Sequence, residues 1–123
     1  MSGNKLLLDT NVVLSVLGSP KIFPALEGKE IFISFVTELE LYSYPALKTE
    51  EEKNIGFFLG KATIIDITKD VKAKAILIRK KYKLKLPDAI ICASAMSKNL
   101  VLVTNDKQFK KVVGITVSTL DKI

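Results

Sequence analysis

Four short segments carry acids beside small or apolar residues: Leu8-Asp9-Thr10-Asn11, Thr37-Glu38-Leu39-Glu40-Leu41, Leu86-Pro87-Asp88-Ala89 and Val103-Thr104-Asn105-Asp106. Asp9 directly follows the apolar run Leu6-Leu7-Leu8, and Asp106 nearly follows the run from Leu100 to Val103. Runs of this kind read as buried strands, and open α/β sheets bind ligands at the carboxyl ends of their strands. Carboxylates gathered there repel one another unless a cation neutralises them. The chain has no histidine and one cysteine. An oxygen-ligand site for Mg²⁺ or Mn²⁺ is therefore the chemistry this set would support.

The composition removes several other chemistries. A single thiol, Cys92, can form neither an intrachain disulfide nor a thiolate zinc site, and its neighbours Ile90, Ile91 and Ala93 mark it as a core residue. Without histidine there is no Ser-His, Cys-His or His-metal mechanism. The formal charge of +6 favours polyanionic partners, nucleic acid first. A basic exterior around an acidic centre suits a phosphodiester substrate. No apolar run approaches the ~18 residues of a membrane span, and residues 1–5 lack the features of a secretory leader, so a cytoplasmic protein without membrane contact is expected.

The elements that would position the acids alternate. Strands are expected at 5–8, 30–34, 63–67, 100–104 and 115–118. Helices are expected at 11–17, 35–44, 49–59, 71–82 and 87–98, with a short one at 107–112. Gly18-Ser19-Pro20 reads as a turn, Pro45 as a helix stop, Thr49 as a helix cap and Pro87 as a first helical residue. The order β-α-β-α-α-β-α-α-β-α-β argues for one α/β domain over residues 1–123, with a mainly parallel sheet covered by helices on both faces.

Each acid also has a purely structural explanation. Asp9 and Asp106 can cap the helices that follow them, and Asp88 can complement a helix dipole. Glu38 and Glu40 point in different directions on a helix, so one of them at most faces a given site, and both flank the stripe Phe35, Leu39, Tyr42. Periodicity leaves that choice open. The basic run Arg79-Lys80-Lys81-Tyr82-Lys83-Leu84-Lys85 just before Asp88 reads either as a phosphate-tracking surface or as a solvated helix end. Tyr82 within it reads as a base-stacking residue or as a core or rim tyrosine.

Taken together, the four segments resemble the PIN domain, and specifically the small VapC-type ribonuclease toxins of VapBC toxin–antitoxin modules. Leu6-Leu7-Leu8-Asp9-Thr10-Asn11-Val12 is similar to that family's opening strand and first acid. Ile33 to Leu41 is similar to its second motif, in which the acid stands three residues after a Thr, and this selects Glu40. Leu84 to Ala95 is similar to the third, an Asp opening a small-residue helix. Leu102 to Phe109 is similar to the fourth, with Thr104 two residues before Asp106. Thr49 to Ile67 carries no diagnostic residue.

The resemblance implies a three-layer α/β/α sandwich with a mainly parallel sheet of about five strands. It implies Mg²⁺- or Mn²⁺-dependent endoribonuclease activity leaving 5′-phosphate and 3′-hydroxyl ends. Asp9 and Asp88 would be the principal ligands, with Glu40 and Asp106 completing the pocket. Thr104 would orient a carboxylate, as would Thr10 and Asn11. An RNA substrate, a cognate antitoxin and a homodimer are the implied partners. Two other classes compete. A phosphoryl-accepting receiver-like domain would need a second acid beside Asp9, which Thr10-Asn11 does not supply. A PIN-fold module that binds RNA or protein without cutting it would usually have lost an acid, and all four are present.

Overall fold

The computed structural model describes residues 4–123. Residues 1–3, included in the expected 1–123 domain, lie outside the described residues. Five parallel strands form one sheet in the order β3-β2-β1-β4-β5: β1 Lys5–Leu8, β2 Glu30–Ser34, β3 Thr63–Ile65, β4 Val101–Val103 and β5 Thr116–Ser118. Five α-helices connect them: α1 Thr10–Gly18, α2 Phe35–Tyr42, α3 Thr49–Gly60, α4 Lys69–Tyr82 and α5 Leu86–Lys98.

Period-two alternation sorts the central strands between two cores. Leu6 and Leu8 of β1, with Val101 and Val103 of β4, pack against Val12, Val13 and Val16 of α1 and against Ile55, Phe58 and Leu59 of α3. Leu7 and Leu102 point to the other face, against Val71, Ala75 and Ile78 of α4 and Ile91, Cys92 and Ala95 of α5. The result is the three-layer α/β/α arrangement, with β1 buried on both sides. Each fully buried leucine in it contributes about 1.5–3 kcal/mol.

Local chemistry sets the helix ends. Asp9, Ser34 and Thr68 each accept a hydrogen bond from a backbone N–H in the first turn of α1, α2 and α4. Pro87 lies in the first turn of α5, where its missing N–H costs nothing. Lys83 and Asn99 end α4 and α5 in the left-handed conformation, at φ 57° and 54°.

Several boundaries differ from expectation. Lys48, and not Thr49, is the cap residue of α3, because the Glu51 carboxylate reaches back to accept from the Lys48 backbone N–H. The α2 helix stops at Tyr42, before the turn that leads to Pro45. β3 ends at Ile65 and β4 is confined to 101–103. The segment after Gly18 is a 3₁₀ helix, Pro20–Leu26, rather than a bare turn, and 107–111 is also 3₁₀.

Candidate functional site

The strand order changes direction at β1: the chain runs outward through β2 and β3, then returns to β4 on the other side of β1. The carboxyl ends of β1 and β4 therefore form a topological switch point, the place where open α/β sheets expose a crevice. Leu8 is in register with Val103. That pairing sets Asp9 beside Thr104, and the Asp9 N–H donates to the Val103 carbonyl at 3.0 Å.

Asp9 is 6% exposed. Its Oδ1 accepts from Thr10 N at 2.8 Å and its Oδ2 from Thr104 Oγ1 at 2.7 Å. The capping role and a place in the site thus coexist in one carboxylate. Thr104, itself buried, accepts from Asp106 N at 3.0 Å. On the other side, Thr10 Oγ1 lies 2.9 Å from Thr37 Oγ1 and donates to Glu40 Oε1 at 2.7 Å. Glu40 is thereby drawn to the Asp9 end of the sheet, whereas no side-chain hydrogen bond among the described residues involves Glu38.

Asp88 sits in the first turn of α5, half-buried. Gln108 links it to Asp106: the amide Nε2 donates to Asp88 Oδ2 at 3.2 Å and to Asp106 Oδ2 at 2.7 Å. The Gln108 backbone N–H also donates to Asp106 Oδ1 at 3.1 Å. A continuous series of polar contacts therefore runs Glu40, Thr10, Asp9, Thr104, Asp106, Gln108, Asp88. It brings together all four acids singled out in the sequence, with Thr10 and Thr104. The Asn11 side chain is exposed and makes no hydrogen bond to them. Sequence reasoning gave no role to Gln108, and it used Thr37 only as the motif residue that selects Glu40. The one signal for Gln108 was its position two residues beyond Asp106, where an Asx-type turn folds the chain back.

The electrostatics record the crowding. Burial pushes the Asp9 carboxyl above the usual carboxylate range, and the charges of Asp106 and Glu40 add to it, against the lowering effect of its Thr104 and Thr10 hydrogen bonds. Asp88 is raised by burial first, then by Asp9 and Asp106, with Glu40 contributing and the Gln108 hydrogen bond opposing. Burial first, then the charges of Asp88 and Asp9, push the Cys92 thiol up to about 12, so it is an inert core thiol.

Among the described residues, no Lys or Arg forms an ion pair with any of the four acids. The two ion pairs among the described residues join Lys5 to Glu30 and Lys74 to Asp70, away from the four acids. Asp9 is buried and Asp88 half-buried, while Glu40 and Asp106 are exposed; two desolvated carboxylates without a cationic partner are electrostatically incomplete. The donor set is all oxygen, which fits a hard divalent cation. Among the described residues, no three Asp, Glu or Cys side chains converge closely enough to enclose an ion by themselves.

The neighbouring basic run is mixed in character. Arg79, Lys80 and Lys81 are exposed in the last turn of α4, while Leu84 is buried. Tyr82 is half-buried and its hydroxyl accepts from Val113 N at 3.0 Å, so it is a rim tyrosine tied to the fold.

The PIN domain family matches residues 6–115, and the chain belongs to that family. No curated protein matches it in sequence. Among solved structures, it is similar to a toxin–antitoxin complex from Klebsiella pneumoniae, with 33% identity over 94% of this chain and 97% of the other and a TM-score of 0.79. It shares its fold with VapBC2 from Rickettsia felis bound to a DNA fragment from its promoter (23% identity, 94% and 98% covered, TM-score 0.84). The same holds for VapBC-1 from nontypeable Haemophilus influenzae (19% identity, 95% and 98% covered, TM-score 0.79). The PIN-domain resemblance and the five-stranded parallel fold therefore stand.

Proposed function

We propose that this chain is a Mg²⁺- or Mn²⁺-dependent endoribonuclease and the toxin half of a toxin–antitoxin pair. The observation that carries the reading is the group of four acids, two of them buried or half-buried and raised first by burial and then by neighbouring carboxylates, with no ion-pair partner among the described residues. PIN family membership and the similarity to toxin–antitoxin complexes support it.

Asp9 and Asp88 would hold the cation, with Glu40 and Asp106 completing the negative pocket. When bound, a divalent ion supplies a water of lowered pKa and a counter-charge for the scissile phosphate. Thr104 fixes the Asp9 carboxylate through Oδ2, and Thr10 fixes Glu40. Both hydroxyls limit the rotation of the acids before substrate arrives. Exposed Arg79, Lys80 and Lys81 precede α5 and would draw an RNA backbone toward Asp88.

The same reading gives the chain an antitoxin partner and a homodimer in the cytoplasm. Exposed apolar side chains support such contacts: Phe57, Ile76 and Leu77 are more than half exposed, whereas Phe58 and Ile78 belong to the core. No helix among the described residues is long and apolar enough to cross a membrane.

The test is RNA cleavage by the metal-stripped chain with Mg²⁺, with Mn²⁺ and with EDTA, followed by sequencing of the RNA ends. Cleavage that requires the metal and leaves 5′-phosphates is expected. Cleavage persisting in EDTA would overturn the metal dependence. RNA binding without cleavage in any metal would favour the non-cutting PIN-fold module.

A further inference from the structure

Gln108 stands between two acids that belong to different elements. Asp88 opens α5, and Asp106 caps the 3₁₀ turn after β4. One amide nitrogen donates to Oδ2 of both, at 3.2 Å and 2.7 Å. The backbone N–H of the same residue takes Asp106 Oδ1, so Gln108 engages both oxygens of that carboxylate. The turn that carries it is anchored by Phe109, which is fully buried, and by Val112. Gln108 itself is half-exposed, and its side chain borders solvent.

A primary amide has two N–H donors and no net charge. Set between two carboxylates, it does part of what a cation does there, since its hydrogens offset their repulsion. It also fills the space. Magnesium contacts oxygen at about 2.0–2.1 Å, closer than the amide nitrogen lies to either oxygen. A cation held by these two carboxylates would have to displace the Gln108 amide from between them.

We infer that Gln108 is a positioning residue that takes the place of a second cation between Asp88 and Asp106, so the centre loads one divalent ion, on the Asp9 and Asp88 side. This rests on the reading of the acids as a cation centre. A second ion binds there only after Gln108 gives up its hydrogen bonds to both carboxylates. Hydrogen bonds to charged groups are strong enough that removing such a competitor changes affinity about tenfold or more.

The direction of the effect separates this from a purely structural role. If Gln108 only held the two acids in position, its removal would weaken cation binding. If it competes with a second ion, its removal strengthens binding of that ion.

The experiment is calorimetric titration of Mn²⁺ into the metal-stripped full chain and into Gln108→Ala and Gln108→Glu, with thermal melts of each. The unaltered chain is expected to bind one equivalent. Gln108→Ala is expected to bind a second about tenfold more tightly than the unaltered chain does, and Gln108→Glu more tightly still. Without metal, Gln108→Ala is expected to melt lower, and Mn²⁺ is expected to raise its Tm by more than it raises that of the unaltered chain. Should the Ala variant fail to fold, Gln108→Asn, whose amide is withdrawn by one methylene, is expected to show the same gain. Two equivalents of equal affinity in the unaltered chain, or second-ion binding unchanged or weaker in the variants, would overturn the inference and leave the cation centre standing. No Mn²⁺ binding by the unaltered chain would overturn both.

Discussion

The Thr104 hydroxyl donates to Asp9 Oδ2 at 2.7 Å while accepting from the Asp106 N–H, so one buried side chain couples the carboxyl ends of β1 and β4. Thr104→Val keeps the shape and removes both bonds. It leaves a buried carboxylate oxygen and a backbone N–H unpaired, a cost of about 1–3 kcal/mol. A carboxylate no longer held in orientation also binds metal less well, so RNA cleavage is expected to fall about 10–100-fold. Thr104→Ser is expected to restore most of both. Melts and cleavage rates of the two variants check this; a loss in Ser with none in Val would show that packing, not the hydroxyl, matters.

The raised carboxyls of Asp9 and Asp88 make the metal-free protein pH-sensitive in a defined direction. Their folded-state pKa values lie above the ordinary carboxylate value of 3.8. In the window between, the native state binds more protons than the unfolded state, so these two groups lower stability as pH rises through it, with no further change above their folded values. Asp9→Asn removes the repelling charge and keeps a capping side chain. In EDTA it is expected to melt at or above the unaltered chain at neutral pH, with the difference shrinking toward pH 4. Melts from pH 4 to 8 decide; a difference that grows as pH falls would contradict the assignment.

Cys92 lies beneath the acids, fully buried, with its thiol pushed up to about 12. A thiol in that state is neither ionised nor accessible at pH 8. Native protein is expected to resist a thiol-reactive disulfide reagent, and unfolded protein to react with one equivalent. Rapid labelling of the native chain would show that α5 opens locally near the site.

Lys83 ends α4 at φ 57°, a conformation that costs a side-chain residue and suits glycine. Lys83→Gly is expected to raise stability by about 1 kcal/mol, measured by denaturant unfolding. It also removes one cation from the basic run, and a fall in RNA affinity alongside the stability gain would place Lys83 on the RNA path.

Strands β1 and β2 were legible in full, because Leu6-Leu7-Leu8 and Glu30 to Ser34 are short apolar or β-forming runs bounded by polar residues. Helices α4 and α5 were legible from Val71, Ala75 and Ile78, and from the small residues around Cys92. Pro20–Leu26 was not legible, since two prolines and a 3₁₀ turn carry no helical period. The α3 cap was misread because Glu51 acts from within the helix on Lys48, where a lone threonine draws attention first. For the site, periodicity could not separate Glu38 from Glu40. The resemblance to the PIN motif selected Glu40, and the Thr10 hydroxyl bonds to Glu40. The link from Gln108 to Asp88, twenty residues away, was not legible, because only the fold sets that distance.

Crystals of the chain grown with Mn²⁺ and measured at a wavelength where manganese scatters anomalously test the cation centre most directly. The expected result is a single anomalous peak in contact with Asp9 and Asp88, directly or through one water, which Asp88→Asn abolishes while the fold persists. A peak elsewhere on the molecule, or none at saturating Mn²⁺, would contradict the assignment of these acids to a metal-dependent nuclease site.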